Sequence, residues 1–489
     1  MKFKKITSFI TVLALSTAIG FVSHAEEPCA TVNSNGTSVS YSSFSEAWSK
    51  AVDLGNSGEV TFMLNKDWQA DSSGSLGSGS GFNNGALSYS GGNNLTIDLN
   101  GYSIDRNLFK PTSGGNVLYV NSTVTITDSR SDEYTVSKLF KGGAIKNGSN
   151  TKRGGGIVVA DNATLNIYGV TILNCVSTDD GGAISITGSG AHLNVDGGSF
   201  YGNRTYDSSG ECCGGAIYSD AATVKISNSV FEGNYAEDNG GAIYANNGSV
   251  SITSTRFCSN SSIEEGGAVF ADGSVTTEFR SCLLSQNTSS DDDGGAVYCD
   301  SNSGTYFYDC QMYYNHAASE GGAVFINADK VFFIGGSIQY NTASKYGGGI
   351  YVDSMYDINA SGKLVIKDNT VNGKASDVCL QDGTASTAYL YCGGLYEGSS
   401  IWLCSNETGS QLAIKGIDKY QYTNYIHFDE GFTAGKINSS SVSSDNIRAI
   451  ASVLGNGNII YICIAMLIIM ITAVVTVSVK RKKERSKKQ

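Results

Sequence analysis

The chain has 489 residues, a formal net charge of −12, 60 glycines against 2 prolines, and 10% aromatic side chains. The acidic balance argues against a nucleic-acid partner, which would need a basic face. Low charge density with that aromatic content argues against a disordered chain, and the glycine surplus points to many tight turns between short strands.

In chain order, residues 1–25 read as a secretory signal peptide. Lys2, Lys4 and Lys5 form a basic start, Ile6 to Val22 is mostly apolar, and Ser23-His24-Ala25 gives a small–x–small cleavage site. Residues 26–141 are expected to form an N-terminal cap and the first irregular coils. Within them Phe44 to Val52 has the apolar spacing of a short helix, a Gly/Ser-rich loop runs from about 71 to 92, and strand-like runs follow at 95–101, 117–120 and 124–126. A bare solenoid end would be adhesive, so a cap is physically sensible there.

The central part, 142–375, repeats one signature: two glycines, a small residue, an aliphatic residue and usually an aromatic. Copies begin at Gly142, Gly154, Gly181, Gly214, Gly240, Gly266, Gly294, Gly321 and Gly347, and the last seven are 33, 26, 26, 28, 27 and 26 residues apart. A near-constant period of this size means one supersecondary unit stacked on itself. Each repeat also carries a second short strand, such as Ser249 to Thr253, and a third segment ending in Asn203, Asn234, Asn260, Asn287, Asn315 or Asn341. Strands this short cannot make a sheet alone. Stacked in register, they predict an all-β, right-handed parallel β-helix with three strands per coil and about 10–12 coils. The turn asparagines are expected to lie over one another, their amides bonding backbone groups that the bend leaves free.

From 376 to 457 the repeat fades into an expected C-terminal cap and membrane-proximal spacer. Residues 458–479 are almost wholly apolar, long enough for a transmembrane helix. The basic tail 480–489 then marks the cytoplasmic side. The sequence therefore predicts a single-pass plasma-membrane protein with a large extracellular N-terminal part.

Twelve cysteines in an oxidising compartment raise the expectation of disulfides. Cys282 and Cys310 occupy equivalent positions of neighbouring repeats, and Cys175 and Cys213 fall in what read as corresponding turns. Each pair could be bridged, or its thiols could simply fill the core. No cysteine or histidine set has zinc spacing, so no structural metal site is expected.

The paired signatures, Gly-Gly-Ala-Ile/Val and Phe-x-x-Asn, resemble the repeats of chlamydial polymorphic outer membrane proteins, over about Gly142 to Asn369. The resemblance implies a right-handed β-helix displayed on a cell surface and used in adhesion. Those proteins end in an outer-membrane β-barrel, whereas this chain ends in one apolar segment with a basic tail. An autotransport mechanism therefore does not carry over, and a one-membrane bacterium is the favoured source over a protist.

Two series of side chains are candidates for function. Strand parity sets Tyr218, Tyr244, Phe270, Tyr298, Phe325 and Tyr351 outward, beside Asp220, Asn246, Asp272, Asp300, Asn327 and Asp353. An exposed aromatic ladder beside acids and amides would suit a sugar or an extended peptide. The alternative is that the rings are internal or covered by a neighbouring loop. An acidic series before the glycine pairs, including Asp238, Glu265, Asp292 and Glu320, would suit calcium, or be ordinary solvated turns. No other cofactor is expected. Arg153, Arg204, Arg256 and Arg280, with His192, His316 and His427, are too scattered for a catalytic set. The reading is a non-catalytic adhesin or interaction protein whose partners are glycans or proteins of host or neighbouring cells. The alternatives are a pectate-lyase-like carbohydrate-active enzyme and a purely structural surface protein.

Overall fold

Ile243–Asn246, Ser249–Thr253, Arg256–Cys258 and Ser261–Ser262 are four short strands that together make one coil. Alternation decides what each strand buries. Ile243, Ala245, Val250, Ile252 and Phe257 point inward and are at most 1% exposed. Every strand lies parallel to its copy one coil further on, with Ile243 beside Val269, Val250 beside Thr277 and Phe257 beside Leu284. Repeated along the chain, this gives an all-β, right-handed parallel β-solenoid of about 11 turns. At a strand spacing of about 4.8 Å the rod is roughly 50 Å long.

This computed structural model describes residues 27–131, 142–207, 212–300, 302–353, 355–381, 388–406, 411–417, 419–429 and 433–438. The expected signal peptide, the membrane helix at 458–479 and the basic tail lie outside them. Among the described residues no helix is long and apolar enough to cross a membrane.

The expected three strands per coil become four. A two-residue strand after each third strand builds a separate ladder from Ser149–Asn150 to Lys374–Ala375. Two residues are too few for alternation to reveal a strand in sequence.

One apolar column fills the rod. Ile157, Ile184, Ile217, Ile243, Val269, Val297, Val324 and Ile350 follow one another, each 0% exposed. Phe200, Phe231 and Phe257 stack at 4.5 and 4.9 Å, and Phe279, Phe307 and Phe333 at 5.1 and 4.8 Å. Each such side chain contributes about 1.5–3 kcal/mol of burial. The copy of the signature at Gly142 is out of phase with the others. Its strand, Ala144–Lys146, pairs with the third strand Thr171–Leu173, so the true series begins at Gly154. A Gly-Gly-Ala-Ile run suits any tight bend into a buried strand, which is why sequence alone misplaces it.

Both ends depart from the regular coil. The first parallel strand, Val60–Leu64, would offer a bare edge, but Ala30–Ser34 pairs with it antiparallel and Thr37–Tyr41 pairs outside that. The helix Phe44–Gly55 starts at Ser43, whose hydroxyl accepts the Glu46 N–H, and buries Phe44, Ala47, Trp48, Ala51 and Val52. Phe44 stacks on Trp68 at 4.3 Å and meets Phe62 edge-on at 5.4 Å. At the other end coiling continues beyond the last glycine signature. Val378–Leu380 lies on Ile350–Val352, Ser400–Ser405 on Val378–Leu380, and Ile426–Phe428 on Ser400–Ser405.

Candidate functional site

Two corners of each coil carry the residues that the sequence singles out. At the first, Asn203, Asn234, Asn260, Asn287, Asn315 and Asn341 form one column, each 0% exposed. In all six, the backbone N–H and the side-chain Nδ2 both donate to the Oδ1 of the next residue of the column, at 2.9–3.1 Å. The other Nδ2 hydrogen reaches a third-strand carbonyl of the preceding coil at 3.0 Å, as from Asn287 to Phe257. Both amide hydrogens, the Oδ1 and the backbone N–H of each asparagine are thereby satisfied. Asn369 extends the column, and it closes on the Asp377 carboxylate, which accepts at 2.8 and 2.6 Å. A carboxylate only accepts, so the side-chain relay stops there, while the Asp377 N–H donates onward to Asp429 Oδ2 at 3.2 Å. Burial pushes the Asp377 carboxyl up to about 7, and Asp429 pushes in the same direction.

Cys175 stands at the foot of this column, its N–H donating to Asn203 Oδ1 at 3.0 Å. Cys213 belongs to the other corner, so the expected correspondence of Cys175 with Cys213 is wrong. Turn length misleads here, because the long segment after Asn203 displaces the count. Cys282 and Cys310 do stack in neighbouring coils, but no disulfide joins them. Their sulfurs lie 3.5 and 3.4 Å from the carbonyls of Ile252 and Arg280, and of Phe279 and Tyr308.

At the second corner Gly266 has φ +66°, and a Cβ on Gly267 would lie 2.3 Å from the Gly295 carbonyl oxygen. Only glycine lets the coils approach this closely. The N–H of the first glycine donates to the residue preceding the next pair, for example Gly266 to Asp293 and Gly294 to Glu320 at 3.0 and 2.9 Å. This stacks Arg153, Asp180, Cys213, Asn239, Glu265, Asp293, Glu320 and Tyr346 in a single column.

Against that column stand the six aromatics. Their parity is as read from the sequence, since they point away from the central column, but they do not face water. Tyr218, Phe270, Phe325 and Tyr351 are only 3–7% exposed, and Tyr244 and Tyr298 are half-buried. The rings stack at 5.4, 5.3, 4.9, 4.8 and 5.2 Å, each on the next. The expected solvent-facing platform is therefore a covered seam. Stacked rings turn their faces to each other, which leaves none for a sugar. The Arg153 guanidinium lies 4.7 Å over the Tyr218 ring and 2.9 Å from Asp180. The Tyr244 hydroxyl donates to Asp272, and Asn327 Nδ2 donates to Asp300 at 2.8 Å.

Burial sets the electrostatics of the seam. It pushes the Glu265 carboxyl up to about 7, with Asp292 adding to the effect. It pushes Glu320 up to about 7, reinforced by Asp293. Asp293 rises to about 6 for the same reason, although the Ser319 side chain opposes the rise. Asp238 and Asp292 sit one residue earlier than Glu265 and Glu320, so the four do not make one calcium row. Among the described residues no three His, Cys, Asp or Glu side chains converge to hold a metal ion. Asp238 instead accepts the backbone N–H of Cys212.

The remaining candidates stay apart. Arg280 pairs with Glu278 at 2.9 Å and covers Tyr308 at 3.8 Å, Arg204 lies over Tyr206, and Arg256 reaches the Cys258 sulfur. His316 bonds Thr342, His427 lies against Trp402, and His192 is exposed on the second-strand sheet. Sequence reasoning passed over the outer face of that sheet, where Asn166, Asn194, Lys225, Ser251, Glu278 and Tyr306 follow one another. An open groove there is lined by Tyr168, Asn194, Asp196, Lys225, Ser227 and Ser251. Its signal was present in the polar positions of each second strand, but beyond Asn166 and Asn194 they share no residue type from coil to coil.

A glycine-cornered parallel solenoid with these columns belongs architecturally with repeat proteins that present one side chain per coil. In this chain residues 228–246 match the Chlamydia polymorphic membrane protein repeat. The matched stretch takes in both corners of a coil, Asn234 and Gly240-Gly241, and the chain is similar to Pmp-like repeat proteins. No curated protein and no solved structure matches the chain.

Proposed function

We propose that this protein is a surface-displayed, non-catalytic binding rod, an adhesin that meets glycans or proteins of host or neighbouring cells along the outer face of its second-strand sheet. The observation that carries the reading is the division of the rod's columns. The Asn column is buried and the aromatic column largely so, both committed to holding coils together, while the second-strand face is half-exposed, with Lys225 exposed, and changes chemistry from Asn194 to Lys225 to Ser251 to Glu278. A solvated row with one side chain about every 4.8 Å suits an extended partner rather than a small substrate in a deep cleft. The Pmp-like repeat and the solenoid fit display on a surface, and the expected secretory and membrane segments agree with it. The dispersal of Arg153, Arg204, Arg256 and Arg280 among separate partners favours binding over lyase chemistry.

The test is binding of the full chain to arrays of cell-surface glycans and matrix proteins. Exchanging Lys225 and Ser251 together for Ala is expected to weaken the interaction at least about tenfold while leaving the melting temperature within about 2 °C, because both side chains lie on the outer face of the sheet. Unchanged binding would exclude this face. Absence of binding to every probe would favour a purely structural role.

A further inference from the structure

The column of rings at the glycine corner does not end at Tyr351. The next two coils set Cys379 and then Cys404 in the same register position, Tyr351 beside Cys379 and Cys379 beside Cys404. The two are free thiols here, 0% and 3% exposed, packed with Phe325 and Tyr351, and the Cys404 sulfur lies 3.3 Å from Ser376 Oγ. Directly paired residues of neighbouring parallel strands have Cα atoms about 4.8 Å apart, inside the roughly 4.4–6.8 Å that a disulfide spans. The devices that align the other coils thin out at this point. The side-chain amide relay closes at Asn369 on Asp377, whose N–H makes one more bond, to Asp429 Oδ2 at 3.2 Å, and the last ring stacked in the column is Tyr351. Coils close to the end of a stack open before its middle.

We propose that Cys379 and Cys404 are the site of an inter-coil disulfide that staples the C-terminal coils where ring stacking and the amide relay stop. It forms by exchange with a low-molecular-weight disulfide. The two cysteine thiols give up two protons and two electrons, one S–S bond forms between them, and the external disulfide is reduced to two thiols. Both sulfurs are enclosed once the coils have closed, so exchange occurs on the folding chain. The proposal rests on display of the rod in an oxidising exterior, and its test separates the pair from the location.

The full chain, purified in detergent, is unfolded and refolded in a glutathione–glutathione disulfide buffer, alkylated, digested without reduction and mapped by mass spectrometry. The expected result is a peptide pair joined through Cys379 and Cys404 that disappears on reduction. In Cys379→Ser, Cys404 becomes alkylated. Reductant should lower the melting of the wild-type rod by several degrees and leave the double serine variant unmoved. Wild-type protein with both residues alkylated, or with either bonded to another cysteine, overturns the proposal even if no variant folds. A bridge formed in the redox buffer but absent from protein taken from cells would uphold the pair and overturn the surface reading.

Discussion

At the asparagine corner one buried amide repeats from Asn203 to Asn369, each bonded to the next, and no charge enters until Asp377 closes the relay. At the glycine corner, on the same coils, the stacked position is in turn Arg153, Asp180, Cys213, Asn239, Glu265, Asp293, Glu320 and Tyr346. The first corner holds its geometry through side-chain hydrogen bonds, so its residue type cannot vary. The second holds its geometry through glycine backbone contacts at every coil and side-chain bonds at only some, where Asp180, Asn239 and Asp293 accept the N–H of Cys213, Glu265 and Glu320, so the side chain there is freer to vary. A solenoid can thus divide its corners between fixed hardware and variable chemistry. Here the variable corner is used for packing, since its residues lie over the aromatic seam, as Arg153 does over Tyr218 and Tyr346 over Tyr351.

The largest expected effect is at the fixed corner. Asn287→Ala removes two donors and an acceptor at once, leaving the Asn260 N–H and Nδ2, the Phe257 carbonyl and Asn315 Oδ1 each short of a partner. Buried groups left unpaired cost about 1–3 kcal/mol each, and partial relaxation should bring the total to about 3–5 kcal/mol. Urea denaturation measures it. A loss below about 1 kcal/mol would mean that the relay is ornamental and that the two corners do not differ in kind.

The next effect belongs to the variable corner and depends on pH. Glu265, Asp293 and Glu320 hold their protons up to about 7, 6 and 7 in the folded rod, against about 4 in an unfolded chain. A raised carboxyl binds protons more tightly when folded. Its stabilisation is therefore complete below about pH 4 and is lost as pH rises through about 7. Unfolding free energy should fall by several kcal/mol between about pH 5 and about pH 8, at up to about 1.4 kcal/mol per group for each pH unit, less what solvent screens. Replacing the three by Gln, Asn and Gln should make the slope shallower without removing it, because Asp377 has the same sign and lies at the end of the other corner. Denaturation at several pH values decides this. A slope unchanged by the triple variant would locate the titration elsewhere.

Most of the fold was legible because the glycine and Phe-x-x-Asn signatures report backbone geometry, and backbone geometry is what a solenoid repeats. The amide column from Asn203 to Asn341 could be read directly, since asparagine at a fixed bend has little else to do. What stayed hidden depends on neighbours that are not adjacent in sequence. Parity set Tyr218 to Tyr351 outward, but nothing in the strands told that the preceding corner residues would fold over them. The pairing of Cys379 with Cys404 was equally hidden, because their coils lack the glycine signature that sets register. Gly142 shows the opposite failure, a signature present without its place in the coil.

The smallest effect tests whether the asparagine corner is fixed in backbone as well as in hydrogen bonding. The residue before each ladder asparagine is left-handed: Gly202, Gly233, Ser259, Gln286, Tyr314 and Tyr340 have φ between 54° and 64°. Where it is glycine the conformation is free of strain, and where it carries a Cβ it is not. Ser259 is exposed at φ 54°, with Gly233 one coil before it. Ser259→Gly should therefore stabilise the rod, by about 0.5–1 kcal/mol, less the entropy that glycine adds to the unfolded chain. Ser259→Val should destabilise it by more than that, because branching at Cβ is least tolerated there. Two opposite signs at one solvent-exposed position, read by thermal melting, would mean that the bend itself is enforced by the amide relay beneath it. If both changes are neutral, the left-handed residue adapts freely, and the asparagine corner is fixed only in its hydrogen bonds.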